Sequence, residues 1–496
     1  MRRARCIVVV LLPLLASCAL NPVSKTPELV LTTSAREVEI GTQAAREVED
    51  TVGVVRDPKL AEYVSAVGAR IAALSPRQDV EYHFAVVEMS EPNAFALPGG
   101  YIFVSRGIVE LFETEDELAG VLAHEVIHVA ARHAVQRQTA ALPVGILSAL
   151  GSLAGGLVGG QQLARVVGGI PQFAGGLVLA GYGRDQEREA DRLGQKLVAE
   201  AGWDPGALAD ALERMERVVA VEVAAEGGEQ HSPSWFDSHP STPERVSSAR
   251  SRAEHLARGA SDPIAAGRMG FLQQIEGMRV GPDPAEGVFH KELFLHPDLG
   301  FAVRFPLEWR THNGREVVAA SAPSGDAVVA VRLQARGDDP EAVAVAFART
   351  KDMTLSDFQR FRVNGLPAVR ALAGVKAGRG NFVGDFSFIA HQGVVYRITG
   401  AAPVQRYDYH AREIVDVVRS FRDLEPDERS FQVGRLRLAS ADPGERLSML
   451  GARTGNAWSV ARTAAVNGLD PSAPLPAGRL VKIAVSEPYA PSPPAR

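Results

Sequence analysis

The chain has 496 residues and a formal net charge of -6, with 53 basic against 59 acidic side chains. Its length predicts roughly two to four domains with a sizeable core. The balanced charge shows none of the basic clustering typical of nucleic-acid-binding proteins, so we expect no nucleic-acid partner.

The N-terminus predicts a signal peptide. Three arginines among the first five residues precede an apolar run from Ile7 to Leu15, which is too short to be a settled membrane span. The run ends in Leu-Ala-Ser-Cys at Cys18, which resembles the bacterial lipobox. This resemblance implies that residues 1–17 are removed and that Cys18 is lipidated. A plain signal peptide with a small-residue cleavage site is the alternative.

The residues around Cys18 also predict the compartment. Ala19, rather than Asp, follows the cysteine, and in the usual Gram-negative sorting pattern this implies the outer membrane. Several acyl chains on one residue would anchor the chain stably. Cys6 lies in the removed segment, so the mature chain keeps a single cysteine and forms no intrachain disulfide. We therefore expect a lipid-anchored protein on the periplasmic face of the outer membrane.

A strand is predicted after the Pro-Gly-Gly turn at residues 98–100. The segment from Tyr101 to Ser105 is rich in β-branched and aromatic residues. A strand with one unpaired edge binds an extended peptide through main-chain hydrogen bonds, with little dependence on sequence. An ordinary core strand is the alternative, and both interpretations can hold at once.

The next predicted element is a helix that carries the sequence His-Glu-Val-Ile-His. Thr114 and Glu117 form a capping-box pattern at its start, and apolar residues then recur at helical spacing. His124 and His128 are four residues apart, so both imidazoles lie on one face and can reach one metal ion. Glu125 can take a proton from water at such a site. The alternative is an amphipathic helix whose histidines are merely solvated.

Residues 139–183 form an insert rich in Gly, Ala, Leu and Val. Pro143, Pro171 and many glycines interrupt it, so no apolar run of about 18 residues survives. We predict two small-residue helices that form a flap beside the active site. A dip into the membrane is the alternative.

A charged helix with the pattern Glu-x-x-Ala-Asp follows at residues 187–191. A catalytic zinc site needs three protein ligands and one open position, and Glu187 can supply the third ligand. Asp191 lies one turn further along the same face and can hold a ligating histidine by its second nitrogen. The pattern alone is weak, since solvated helices often carry such strings. After His-Glu-x-x-His it becomes a strong indication.

Four stretches together carry a family resemblance. They are residues 93–100 (NAFALPGG), 124–128 (HEVIH), 187–191 (EREAD) and 239–245 (HPSTPER). In this order they resemble the zinc metallopeptidases of the HtpX and CAAX prenyl protease type, peptidase family M48, and within it the BepA-like periplasmic members. The resemblance covers about residues 30–255, and no motif position is broken.

The resemblance implies a zinc enzyme with one Zn²⁺ per chain. The residues that it assigns to the metal are His124, His128 and Glu187. Glu125 would be the general base, and Asp191 would support the ligands from behind. Water activated by Glu125 would attack the scissile carbonyl of a peptide bond.

The resemblance also implies roles for residues outside the two helices. His239 would be a removable fourth ligand with Arg245 near the site, and both are predicted catalytic residues. The segment after Gly100 would be the family's edge strand, which pairs with extended substrate. The predicted substrate-binding residues are accordingly Asn93, Gly99, Gly100 and Tyr101.

The remaining chain predicts two further units. Residues 18–260 would be the metallopeptidase domain and 261–285 a linker. Residues 286–425 show strand-like periodicity followed by a helix, which predicts a smaller α+β domain resembling PsbP or Mog1-like domains. It shows no catalytic constellation, so binding or scaffolding is the expectation.

Residues 430–486 resemble a LysM-like module. The resemblance rests on Ala-Asp-Pro-Gly-Glu-Arg-Leu at 441–447, Asn-Gly-Leu at 467–469 and Pro-Ala-Gly-Arg-Leu-Val-Lys-Ile at 476–483. Glu445 and Arg446 replace the Asp-Thr usual in that family, so peptidoglycan binding and a purely structural cap both stay open. Residues 487–496 are predicted to be a disordered tail.

The sequence thus predicts an α+β protein: a mainly helical, zincin-like metallopeptidase domain, a smaller α+β domain and a LysM-like module. The expected function is zinc-dependent hydrolysis of misfolded or stalled envelope proteins. The competing hypothesis is a non-catalytic envelope lipoprotein that acts as an assembly chaperone or binds peptidoglycan.

Overall fold

The structure is a computed structural model, and it describes residues 18–25, 27–29, 32–137, 181–225, 235–240, 243–260, 262–351, 353–377 and 380–491. The predicted signal peptide, nearly all of the predicted flap insert and the last five residues of the predicted tail lie outside the described residues. None of the described helices combines the length and the apolar character needed to cross a membrane.

The described residues begin with a short two-stranded sheet, which is followed by a helical domain with a small three-stranded sheet. The strands are β1 (Cys18–Leu20), β2 (Pro27–Leu29), β3 (His83–Val87), β4 (Ala94–Ala96) and β5 (Tyr101–Ser105). The helices are α1 (Ser34–Thr51), α2 (Pro58–Ala72), α3 (Arg106–Val109), α4 (Glu115–Ala130), α5 (Arg184–Glu200), α6 (Ala207–Ala225), α7 (Trp235–Ser238), α8 (Pro243–Ala253) and α9 (Gly267–Ile275).

The sheet of this domain has the strand order β3-β5-β4, so β5 is the central strand. Tyr101 pairs with His83 in parallel on one side, and Ile102 pairs with Ala96 in antiparallel on the other. The prediction that the strand after Gly100 forms the sheet edge is therefore wrong. The turn at Pro98–Gly100 folds β4 back onto β5, and β3 occupies the opposite side. Within the described residues β4 is an edge strand, and it contacts α4.

The predicted linker at 261–285 is also wrong, because much of it is core. Helix α9 buries Phe271, Leu272 and Ile275 completely against the α2 and α4 side of the metallopeptidase core. Burial of three large apolar side chains fixes this segment to the domain by several kcal/mol, at about 1.5–3 kcal/mol for each.

The following domain contains two antiparallel sheets with two helices. A short strand, β6 (Arg279–Val280), precedes this domain and belongs to neither of its sheets. The strands of the domain are β7 (Val288–His290), β8 (Leu293–His296), β9 (Phe301–Arg304), β10 (Arg310–Asn313), β11 (Val318–Ser321), β12 (Val328–Arg336), β13 (Ser356–Val363), β14 (Leu366–Ala377), β15 (Gly380–His391), β16 (Val394–Pro403) and β17 (Arg422–Asp423). The helices are α10 (Pro340–Thr350) and α11 (Tyr407–Ser420). The larger sheet has seven strands in the order β10-β11-β12-β16-β15-β14-β13, and the smaller has the order β17-β9-β8-β7.

The C-terminal module consists of two long strands with two short helices between them. These are β18 (Gln432–Ser440), α12 (Leu447–Thr454), α13 (Val460–Asn467) and β19 (Leu480–Pro488). The strands pair along their full length, and β6 joins the outer side of β18. The described residues thus mix helices and sheets, as predicted for an α+β protein, while the zincin-like and LysM-like assignments stay predictions.

Lys482 of β19 attaches this module to the loop that precedes α4. Its side chain is fully buried, and Nζ donates to the carbonyl oxygens of Glu110 (2.8 Å), Leu111 (3.2 Å) and Phe112 (2.7 Å). It also pairs with the Glu113 carboxylate at 3.0 Å. The module therefore supports the entry to the helix that carries His-Glu-Val-Ile-His.

Candidate metal centre

Helix α4 places the first two candidate ligands in the centre of the domain. Thr114 caps it by accepting a hydrogen bond from the Glu117 N–H, as the capping pattern predicts. The Glu117 carboxylate, however, accepts from the N–H of Glu113 rather than from that of Thr114. His124 and His128 project from one face and are 0% and 2% exposed, which excludes the alternative of solvated histidines.

Helix α5 lies directly against α4 and supplies the next two predicted residues. Gly194 allows the close approach, since a Cβ at this position would lie 3.1 Å from the His124 nitrogen of the main chain. Glu187 and Asp191 are one turn apart on the buried face, each 1% exposed. The two charged side chains are therefore aimed at the histidines of α4 instead of at solvent.

Four side chains converge on one point: His124, His128, Glu187 and His239, whose ligand atoms lie within 4.8 Å of one another. The Nε2 atoms of His124 and His128 are 2.9 Å apart. The carboxylate of Glu187 lies 3.5 Å from the first and 3.4 Å from the second. His239 completes the group, with Nδ1 3.0 Å from Glu187 Oε1 and 3.2 Å from His124 Nε2.

This donor set fits a zinc ion. Tetrahedral zinc with bonds of about 2.1 Å to nitrogen and oxygen separates neighbouring ligand atoms by about 3.4 Å, close to the separations found here. Both carboxylate oxygens of Glu125, next to these ligand atoms, are buried without a hydrogen-bond partner among the described residues, which a purely structural polar cluster would avoid. Imidazole and carboxylate are also the ligands usual for catalytic zinc.

Asp191 and Arg245 contact the candidate ligands on the side away from the converging ligand atoms. The Asp191 carboxylate lies 3.0 Å from His124 Nδ1, and Arg245 donates to both of its oxygens at 2.8 Å. Arg245 also lies 2.8 Å from Glu187 Oε2. The guanidinium thus orients the candidate ligand Glu187 and the carboxylate that orients His124. The structure therefore places Arg245 against a candidate ligand and against the carboxylate next to His124, and its predicted catalytic role stays a prediction.

The charges of the cluster are set by these contacts. Burial opposes ionisation of Asp191, but hydrogen bonds from His124 and Arg245 lower its pKa to about 2. Burial likewise opposes ionisation of Glu187, yet the charge on His239 and hydrogen bonds from the histidines hold its pKa far below the usual range. Burial disfavours charge on His124 as well, but Asp191 and Glu187 raise its pKa to about 9. This imidazole must therefore release a proton before it can ligate a metal.

Glu125 is completely buried beside the cluster, and neither carboxylate oxygen has a hydrogen-bond partner among the described residues. The nearest charged neighbour is His239, whose Nε2 lies 3.5 Å from Glu125 Oε1. An unpaired buried carboxylate is costly, and such groups are concentrated at functional sites. The position suits a base that takes a proton at the metal centre.

Two aromatic rings line the site, and the sequence patterns did not indicate either of them. Tyr182 stacks on His128 with ring centroids 3.7 Å apart, and Trp235 stacks on His239 at 4.6 Å. Both follow segments with weak periodicity, so only the fold brings them here. His133, which the sequence leaves as a surface or otherwise satisfied histidine, is buried and lies 2.9 Å from His128.

The predicted substrate-binding residues lie in the sheet and its turn. Gly99 and Gly100 have φ values of 78° and 107°, and a Cβ there would collide with Val38 and with the Glu81 carbonyl. These glycines are explained by close packing. The Tyr101 hydroxyl lies 2.8 Å from the Thr42 hydroxyl of α1, and its main chain is paired within the sheet. Asn93 stands just before β4, with its Oδ1 atom buried and without a hydrogen-bond partner among the described residues.

Comparison with known proteins connects this arrangement to curated relatives. The Escherichia coli beta-barrel assembly-enhancing protease is 27% identical over 225 residues, covering 45% of this chain and 44% of that protein. The Schizosaccharomyces pombe mitochondrial metalloendopeptidase OMA1 is 36% identical over 184 residues, covering 37% and 50%. Metalloprotease LoiP of Escherichia coli is 29% identical, covering 42% and 77%. The chain spans about half the length of the first curated relatives that it matches.

Among solved structures, cyanobacterial PsbP from Synechocystis matches 28% of this chain and 95% of its own, with 14% identity and a TM-score of 0.23. A similarity this low does not establish the fold of residues 286–425, so the PsbP-like character of that domain stays a prediction. The metal centre lies elsewhere, in residues 58–253, which match the family described as Peptidase family M48. This part of the chain is therefore a domain of peptidase family M48, a family of zinc metalloproteases.

Proposed function

We propose that the chain is a zinc-dependent endopeptidase of the bacterial cell envelope that hydrolyses misfolded or stalled envelope proteins. The observation that carries this proposal is the convergence of His124, His128 and Glu187 beside the buried carboxylate of Glu125, which accepts no hydrogen bond among the described residues. A cluster built only for stability would give that carboxylate hydrogen bonds, because burying it without them costs free energy.

In the proposed hydrolysis of a peptide bond, different residues of the chain have different roles. His124, His128 and Glu187 would hold a zinc ion, which would supply a Lewis acid for the attacking water and for the substrate carbonyl. Glu125 accepts the proton of the attacking water and returns it to the leaving amide nitrogen, so the peptide C–N bond breaks with the uptake of one water. Asp191 and Arg245 hold the ligands in place throughout.

We infer that an extended substrate pairs with β4, whose three residues are 0–7% exposed, so that this edge must open before a peptide can reach it. This strand is an edge of its sheet within the described residues, it contacts α4, and the residue before Asn93 accepts a hydrogen bond from the Trp235 N–H at 2.8 Å. Main-chain pairing along Ala94–Ala96 would align a peptide next to the metal centre and would depend little on its sequence. That mode suits a protease of unfolded proteins, whose common feature is exposed backbone.

The proposal is tested with the purified chain and two substrates, unfolded casein and a compact folded protein of similar size. We expect zinc-loaded enzyme to cut casein at internal bonds, a chelator to stop the reaction, and re-added zinc to restore it. The folded protein should be spared. Binding of casein without any cleavage, under conditions where zinc is bound, would instead favour the non-catalytic alternative.

The proposed location follows from Cys18 and its neighbours. Asn21, only three residues later, is buried, and its side chain donates to the carbonyl of Ala131 at the end of α4. A lipid on Cys18 would therefore hold the metal centre near the membrane surface, where unassembled outer-membrane proteins are exposed. The proposed partners are those proteins, together with the outer membrane itself.

Cys18→Ala is expected to leave the protein unprocessed or to release it into the soluble periplasm. The measurement is fractionation of cells that express the variant. Ala19→Asp is the matched control, because it keeps the cysteine and changes only the sorting residue; it should stay lipidated and leave the outer membrane. Unchanged outer-membrane association of Cys18→Ala would contradict the lipid anchor.

His239→Ala is expected to raise basal proteolysis severalfold. His239 lies against His124, Glu187 and Glu125, so its imidazole occupies the place that water needs for attack. Removing the ring should open that position while zinc affinity falls modestly. The measurement is casein cleavage per bound zinc. A variant that keeps zinc but cuts at the wild-type rate or more slowly would show that His239 does not block the site as a removable fourth ligand. The control is His255→Ala, which changes an exposed histidine.

A further inference from the structure

His133 lies just beyond the end of α4 and returns toward the metal centre. It is 1% exposed, and the proposed chemistry does not use it. Its Nδ1 lies 2.9 Å from His128 Nδ1, and its Nε2 lies 3.1 Å from the carboxylate of Glu189. Glu189 is one of the variable positions of the Glu-x-x-Ala-Asp pattern, and its side chain is 26% exposed.

The positions of the protons follow from these distances. His128 turns Nε2 toward the other ligand atoms, 2.9 Å from His124 Nε2, so in a metal site Nε2 must carry the lone pair. The hydrogen of a neutral His128 then sits on Nδ1 and is donated to His133 Nδ1. Because that atom accepts, the hydrogen of His133 sits on Nε2 and is donated to Glu189, which as a carboxylate can only accept.

The backbone is bent to bring His133 into this position. Arg132 has a φ of 59°, a left-handed conformation that costs a non-glycine residue roughly 1 kcal/mol or more. Buried charges hold the bend: Arg132 Nε lies 2.7 Å from Glu37 Oε1, and Arg77 lies 2.9 Å from the other oxygen of Glu37. Buried ion pairs thus maintain a strained backbone conformation at Arg132. This conformation places His133 next to His128.

We propose that His133 and Glu189 are a positioning pair for His128: together they fix its tautomer and ring orientation for zinc. This rests on the proposed zinc site. The two histidines of the motif are then supported differently. His124 Nδ1 lies 3.0 Å from the Asp191 carboxylate, whereas His128 Nδ1 faces the His133 imidazole, whose other nitrogen contacts Glu189.

The test measures zinc affinity of the metal-free chain by competition with a chromophoric chelator, together with the visible spectrum of the Co²⁺-substituted protein. His133→Leu keeps the volume and removes the acceptor, and we expect zinc to bind about 10- to 100-fold more weakly, with an altered Co²⁺ spectrum. His133→Asn places an oxygen where Nδ1 stood. It should keep the affinity within about threefold of wild type, the conservative rescue that a purely packing role would not give.

Glu189→Ala tests the outer half of the pair on a partly exposed position, where folding is not at risk. It should weaken zinc binding severalfold, whereas Glu200→Ala, a half-exposed glutamate on the same helix, should leave it unchanged. Wild-type affinity in both His133→Leu and Glu189→Ala overturns the proposal. A folded His133→Asn variant that binds zinc as weakly as His133→Leu also overturns the proposal. If His133→Leu does not fold, the zinc affinities of His133→Asn and Glu189→Ala decide the question. A wild-type chain that binds no zinc would instead refute the proposed function.

Discussion

Glu125→Gln should abolish cleavage of unfolded protein and leave zinc in place. The amide has nearly the same shape as the carboxylate but cannot accept the proton of water, so we expect the turnover rate to fall roughly 10²- to 10⁴-fold. The three candidate ligands are untouched, so zinc content should match that of wild type. The measurement is casein cleavage and metal analysis on the same preparation.

The control for this variant is Glu39→Gln, an exposed glutamate of α1 that lies outside the metal centre. It should cut casein at the wild-type rate. We expect Glu125→Gln to be more stable than wild type, because a buried carboxylate without hydrogen bonds is replaced by a neutral group. Peptidase activity near the wild-type level in Glu125→Gln, with zinc bound, would show that another group is the base.

Glu187→Ala should lose the metal. This carboxylate lies 3.4 to 3.5 Å from the two histidine nitrogens of α4, and its removal leaves an incomplete ligand set. We expect zinc affinity to fall by more than about 100-fold, beyond the loss typical of an outer partner. Arg245 also loses its contact with Glu187, but Asp191 still compensates its charge, so the fold should survive.

Metal analysis after gel filtration reports this result, with circular dichroism to confirm that the protein is folded. Glu213→Ala is the control, because this glutamate of α6 pairs only with surface arginines in the described contacts. It should retain full zinc. Full zinc occupancy in Glu187→Ala would mean that Glu187 is not a ligand.

The site was largely predictable because its chemistry is local in sequence. The spacing of His124 and His128 fixes both on one face of a helix, and the spacing of Glu187 and Asp191 does the same on the next. That the two faces meet is a property of the fold. Here the resemblance supplied what spacing could not, and the structure places the four groups together.

The predictions that the structure contradicts depend on contacts between residues that are far apart in the sequence. The strand at Tyr101–Ser105 is central because His83–Val87 pairs with it, and nothing near residue 101 indicates that partner. The segment 267–275 resembles a linker in sequence because a nine-residue helix shows too little periodicity, although its three buried apolar side chains complete the core. The contact of His133 with His128 could not be predicted for a related reason: Arg132 has a left-handed backbone conformation, and helical spacing does not extend past it.

The most direct test of the account is to titrate the metal-free chain with zinc and to measure the rate of casein cleavage at each ratio of zinc to protein. We predict no cleavage without zinc, a linear rise, and a plateau at one zinc ion per chain, as expected for the single cluster of candidate ligands among the described residues. Cleavage by the metal-free chain, or full zinc binding without any cleavage, would contradict it.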